Sequence, residues 1–121
     1  MNIALSAYDN KKILMENLCI AYRHILNKHS LYATGATGKI IEETTGLRIH
    51  KYLEGHLGGE QQLATQLAHK KIDLVIFLYD SAFIDDSEPG ILGIMNLCDA
   101  HNIPLATNLA TAEMLLLNLD K

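Results

Sequence analysis

Short apolar runs alternate along this chain with stretches in which the apolar residues recur at helical spacing. Ile3-Ala4-Leu5-Ser6-Ala7 is a continuous run that reads as a buried first strand ending at Tyr8-Asp9-Asn10. A helical pattern follows at Ile13, Leu14, Leu18, Ala21, Ile25 and Leu26, with Asp9 or Asn10 placed to cap it. A second strand is expected around residues 30–33, then a helix from about Lys39 to Thr44 that stops at Gly46. Residues 48–53 alternate as a strand does, and the loop Glu54-Gly55-His56-Leu57-Gly58-Gly59 follows. Residues 61–69 are helical in pattern, and 72–78 form the clearest buried strand, with Asp80 at its carboxyl end. Beyond a polar loop at 81–90, a helix over 91–100, a short strand over 103–108 and a helix over 110–119 complete the chain.

Strands that alternate with helices in a small chain imply βαβ units. The expected fold is α/β: a single three-layer domain over 1–121, with a mainly parallel twisted sheet and helices on both faces. No internal repeat, low-complexity tract or linker interrupts it. In such a sheet the ligand crevice lies outside the carboxyl ends of the strands. Those ends are Tyr8-Asp9, residues 34–37, residues 54–60, Asp80 and Thr107-Asn108, which hold most of the polar and glycine punctuation.

The central stretch is Leu31-Tyr32-Ala33-Thr34-Gly35-Ala36-Thr37-Gly38, a short strand followed by two glycines and two threonines before a helical pattern. A strand that turns into a helix N-terminus presents unpaired N–H groups and the positive end of the helix dipole to an anion. The glycines let backbone approach that anion, and the threonine hydroxyls add donors. The same residues also fit an ordinary strand-to-helix turn. The spacing is neither GxGxxG nor that of a Walker loop, so no nucleotide fingerprint is present.

Bulk properties narrow the field. With 121 residues, 49% of them apolar and 20% charged, the chain suits one compact domain. Its net charge of −4, with no basic cluster beyond pairs such as Lys11-Lys12, argues against a nucleic-acid partner. No apolar run approaches a membrane span. Met1-Asn2 leads directly into a strand, so no signal peptide is expected. Cys19 and Cys98 lie in apolar helical patterns without CxxC spacing and read as buried thiols in a reducing compartment, the cytoplasm.

Several polar residues at the strand ends could carry chemistry. Asp9 and Lys12 are one turn apart, so a carboxylate and an ammonium can face the Thr/Gly turn; a cap and a solvated lysine explain them as well. Lys12 reaching an anion at residues 34–38 would resemble the usual lysine contact to a phosphate. Glu60 follows Gly58-Gly59 at an expected helix start, where the dipole stabilises it and where it could act as a general base. Asp80 ends the most buried strand, a frequent place for a functional carboxylate. The six histidines are scattered without metal-ligand spacing, and His56 alone lies in the glycine loop as a possible ligand contact.

Taken together, these segments resemble the methylglyoxal synthase family. The matches are Ile3 to Asp9 with Lys12, residues 31–38, Gly58-Gly59-Glu60-Gln61-Gln62, residues 72–80, and Ile103-Pro104-Leu105-Ala106-Thr107-Asn108-Leu109-Ala110-Thr111-Ala112. They keep the family's order and spacing from Ile3 to about Leu116. The resemblance implies a lyase that turns dihydroxyacetone phosphate into methylglyoxal and phosphate through an enediolate, without metal or cofactor. By position it assigns Lys12, Thr34, Gly35, Ala36, Thr37 and Gly55 to the phosphate, with Tyr8 and Glu54 beside them. Glu60 becomes the base, with Asp9 and Asp80 completing the site. It also implies a homo-oligomer, typically a hexamer.

The chain departs from the family pattern at several of these places. The family has Asp where Glu60 stands, keeping the carboxylate but moving it by one methylene. Its loop histidine and the Asp three residues later align with Ser87 and Gly90, its early histidine with Tyr8, and its second turn threonine with Ala36. A phosphate-contacting serine aligns with Glu54. These departures leave two expectations: a synthase of weakened or altered activity, or a non-catalytic phosphate-ligand-binding or regulatory module of the same fold.

Overall fold

The computed structural model describes residues 1–54, 58–84 and 90–119. Five strands, β1 (Asn2–Ala7), β2 (Ser30–Ala33), β3 (Ile49–Lys51), β4 (Leu74–Leu78) and β5 (Leu105–Ala106), form one sheet in the order β3-β2-β1-β4-β5. Every pairing is parallel, with Leu5 aligned to both Ala33 and Ile76, and Ile76 to Ala106. Among the described residues, six helices flank the sheet: α1 (Lys12–Ala21), α2 (Arg23–Leu26), α3 (Gly35–Thr45), α4 (Gly59–Ala68), α5 (Gly90–Ala100) and α6 (Leu109–Leu119).

Strand alternation sorts the core into two layers. Ile3, Leu5, Leu31, Ala33, Leu74, Ile76 and Leu78 point to one face, where Met15, Leu18 and Cys19 of α1, Ile41 of α3, and Ala112 and Leu116 of α6 cover them. Ala4, Val75 and Phe77 point to the other face, against Leu63 and Leu67 of α4 and Ile91, Ile94 and Cys98 of α5. The domain is therefore a three-layer α/β sandwich, as the alternation of patterns predicts. All five residues of β4 are buried because the strand lies inside the sheet and is covered on both faces. Each such side chain contributes about 1.5–3 kcal/mol relative to exposure.

Several expectations need correction. First, α3 begins at Gly35 rather than near Lys39, so the glycines belong to its first turn. The Gly38 amide donates to Thr34 O at 2.8 Å and closes that turn. A Cβ at Gly38 would lie 2.8 Å from Lys51 Cγ and 3.2 Å from Ile49 Cγ2, so glycine there lets α3 lie close against β3. Close packing, not helix breaking, explains this glycine. Second, Asp9 and Asn10 do not cap α1; they form a 3-10 turn, Asp9–Lys11, whose side chains bond elsewhere. Third, α1 turns Met15, Leu18 and Cys19 toward the sheet, while Ile13, Leu14 and Ala21 are exposed. The helix also ends at Ala21, with Ile25 and Leu26 carried by the separate short α2. The strands expected over 48–53 and 103–108 are shorter, since only Ile49–Lys51 and Leu105–Ala106 find ladder partners.

Candidate active site

The chain runs from β1 to β2 and β3 on one side, then crosses to β4 on the other, so the order reverses between β1 and β4. A doubly wound sheet opens its ligand crevice at that point. Along the carboxyl rim the successive strand ends deliver Leu53-Glu54, Thr34 to Thr37, Tyr8 to Lys12, and Asp80. Neighbouring strands lie about 5 Å apart, so side chains from adjacent ends can hold one small ligand.

The first group is the N-terminus of α3. Thr34 is extended, with φ −61° and ψ 152°, and Gly35 starts the helix. Thr34 and Thr37 are both buried, and the Thr34 hydroxyl donates to Thr37 Oγ1 at 3.4 Å. The Gly35 amide donates outside the helix, to Leu53 O at 3.2 Å. The next two amides, of Ala36 and Thr37, have no intrahelical acceptor by helix geometry, and they carry the positive end of the dipole. This end of α3 thus presents backbone donors of the kind that can hold an anion.

Leu53 and Glu54 join that cradle to the start of α4. The Leu53 carbonyl accepts from Gly35, its amide donates to Gln62 Oε1 at 2.7 Å, and the Gly59 amide donates to Glu54 O at 3.0 Å. A Cβ on Gly59 would lie 2.0 Å from Leu53 O, so only glycine allows this approach. Glu60 is the next residue, in the first turn of α4. Two helix N-termini are thereby fastened to one two-residue segment, with a carboxylate at the second of them.

The second group sits across the switch point. Lys12 and Asp9 form an ion pair, with the Lys12 side chain 22% exposed and that of Asp9 96% exposed. Tyr8 donates its amide to Leu78 O at 2.9 Å and sets its ring edge-on to Phe77 and Tyr79. Asp80 accepts the Ala82 amide at 2.9 Å and the Asn10 Nδ2 donor at 2.8 Å. Those bonds, the backbone one foremost, hold its carboxyl below the usual carboxylate range. Asp80 is accordingly a fixed anion that ties the end of β4 to the end of β1. Asn10, read from sequence as a cap, is the residue that makes this tie. Gln62 likewise carries a role that only the folded chain shows, although it lies inside the Gly-Gly-carboxylate-x-Gln stretch.

Of the residues singled out from sequence, the fold brings Thr34, Gly35, Ala36, Thr37, Glu54, Glu60, Tyr8, Asp9, Lys12 and Asp80 to one rim of the sheet. Gly55, His56 and Ser87 lie outside the described residues. Cys19 and Cys98 are buried free thiols far in character from nucleophiles, since burial pushes them up to about 12 and about 11. Among the described residues, no group of three His, Cys, Asp or Glu side chains is placed to hold a metal ion. No described helix is long and apolar enough to cross a membrane.

The fold and this rim define a doubly wound α/β domain with two helix N-termini and a set of carboxylates gathered at one edge of the sheet. The MGS-like domain family model matches residues 16–107. The chain is 54% identical over 121 residues to a methylglyoxal synthase of Caldicellulosiruptor saccharolyticus, covering 100% of this chain and 86% of that protein. It is 50% identical over 120 residues to a methylglyoxal synthase of Listeria welshimeri, covering 99% and 90% respectively. The crystal structure of methylglyoxal synthase from Elizabethkingia anophelis superposes with a TM-score of 0.85 at 38% identity, covering 95% of this chain and 76% of that one. The chain belongs to the methylglyoxal synthase family, and so to a family of lyases.

Proposed function

We propose that this chain converts dihydroxyacetone phosphate to methylglyoxal and inorganic phosphate. The observation that carries the reading is the Leu53-Glu54 segment, which fastens the anion-binding end of α3 to the carboxylate-bearing end of α4. In the proposed reaction the phosphate lies against the Ala36 and Thr37 amides, with Thr34, Gly35, Gly55 and Lys12 around it. Asp9 aims the Lys12 ammonium, and Tyr8 walls the crevice. Glu60 removes a proton from the hydroxymethyl carbon next to the carbonyl, forming an enediolate. The carbon–oxygen bond to phosphate then breaks, phosphate leaves, and the enol takes up a proton at the methylene carbon to give methylglyoxal. The chemistry needs a placed base and a preorganised anion cradle, so the reading includes no metal or cofactor. Asp80, held ionised by two donors, suits an electrostatic role better than that of the base.

The phosphorylated substrate, a cytoplasmic setting and a homo-oligomer, a hexamer by family, belong to the same proposal, with neither nucleic acid nor membrane as partner. Ile13 and Ile20 of α1 and Met114 and Leu117 of α6 are exposed and give an oligomer apolar surface. Light scattering on the purified protein tests the hexamer.

Purified protein incubated with dihydroxyacetone phosphate should release phosphate and methylglyoxal in equal amounts. Glu60→Gln keeps the shape and removes the basic carboxylate, so kcat should fall by about a hundredfold or more while phosphate binding holds. A Glu60→Gln variant with parental turnover refutes the assignment. A parent that binds phosphate without turnover favours the non-catalytic binding module.

A further inference from the structure

The side chain of Glu54 stands at the anion cradle itself. A Cβ on Gly35, the first residue of α3, would lie 3.4 Å from Glu54 Cγ and 3.4 Å from Glu54 N. The carboxyl carbon is one bond beyond Cγ, so a negative group hangs beside the helix end that gathers the ligand. Two anions that close are held together only when a proton lies between them, as two carboxylates sharing one site show.

We propose that Glu54 makes the cradle selective for a phosphoryl group that carries a proton: hydrogen phosphate, or the monoanion of a phosphate monoester. The P–OH donates to a Glu54 carboxylate oxygen, while the other phosphoryl oxygens accept from the Ala36 and Thr37 amides and from Lys12. Sulfate matches hydrogen phosphate in size and in charge near neutral pH but has no O–H, so it meets Glu54 lone pair to lone pair. A site built around one hydrogen bond rejects an analogue lacking it far more strongly than size alone explains. The Lys12–Asp9 and Lys51–Glu42 pairs present the same field to either dianion. The inference rests on the phosphate-cradle reading and adds the protonation form that the cradle accepts.

The test titrates the protein with inorganic phosphate and with sulfate at pH 7.5 and constant ionic strength, by calorimetry. The parent should bind phosphate about tenfold or more tighter than sulfate. In Glu54→Gln, whose amide can donate to sulfate, and in Glu54→Ser, the ratio should collapse to within about twofold, chiefly because sulfate binding improves. Circular dichroism checks that both variants are folded, and the parental ratio decides by itself if they are not. Equal binding of the two anions by the parent overturns the inference while leaving the cradle intact, and so does a parental ratio kept in both variants. Failure of either anion to bind the parent overturns the cradle and the inference together.

Discussion

Single atoms decide whether the crevice can form. The Leu53 carbonyl takes the Gly35 amide and leaves room for nothing larger than hydrogen on Gly59. Gly59→Ala sets a methyl 2.0 Å from that backbone oxygen, and a backbone atom cannot swing aside as a side-chain tip can. The variant should lose about 3 kcal/mol of stability in urea unfolding at unchanged m, and with it most phosphate affinity. Parental stability in Gly59→Ala would mean that the Leu53–Gly59 approach is not fixed in solution. The Gly-Gly pair was visible in the sequence, but its reason was not, because the atom it makes room for belongs to a residue six positions earlier. Asn10 shows the same limit. Its position before a helical pattern suggests a cap, yet its partner Asp80 is seventy residues away and meets it only once β1 and β4 pair.

At the scale of elements, periodicity found the helices and misplaced some of their ends. The start of α3 was hidden because glycine argues against helix by propensity, and tertiary contact with β3 outweighs a cost of about 1 kcal/mol per residue. The buried face of α1 is the one marked by Met15, Leu18 and Cys19 at helical spacing, a stripe that the flanking apolar residues Ile13, Leu14 and Ala21 obscure in the sequence. The run at 72–78 was legible because a strand covered on both faces needs no alternation. The same scale holds the role of Gln62, which reaches from α4 to the Leu53 amide at 2.7 Å and fastens helix to loop. Gln62→Ala should cost about 1 kcal/mol in thermal or urea unfolding, with a larger effect on KM than on kcat, since the loop end it releases borders the cradle. A variant matching the parent in both KM and stability would place the restraint elsewhere.

For the whole molecule, three titrating groups act in one direction. Burial, then the terminal ammonium and Lys28, hold His29 below its ordinary value. The Ala82 amide and Asn10 hold Asp80 low, and Lys51 and the Ile49 amide hold Glu42 low. In each case the unfolded chain binds its proton at a higher pH than the folded chain, so acid favours unfolding. The His29 contribution is intact above about pH 6.5 and lost as pH falls from there; those of Asp80 and Glu42 are intact above about pH 4.3 and lost below it. The melting temperature should therefore be flat from about pH 8 to 7, decline gently toward 5 and drop steeply below 4. His29→Gln should flatten the gentle limb alone, and a melting temperature that rises between pH 7 and 5 would contradict the sign.

The strand order also governs how the chain is made. Synthesis delivers β1, β2 and β3 before any of α4, β4 or α5 exists. That early half can cover one face with α1 and α3, but Ala4, Tyr32 and Tyr52 on the other face await helices that begin at Gly59 and Gly90. The edge of β1 stands open for the same interval, until Leu74–Leu78 arrive to pair with it. A nascent chain that ends between β3 and α4 is thus a three-stranded sheet with a bare apolar face and an unpaired strand, the form in which β-rich intermediates seek partners. Placing the ligand crevice between the first strand and the fourth commits the ribosome to releasing most of the protein before its central strand is protected.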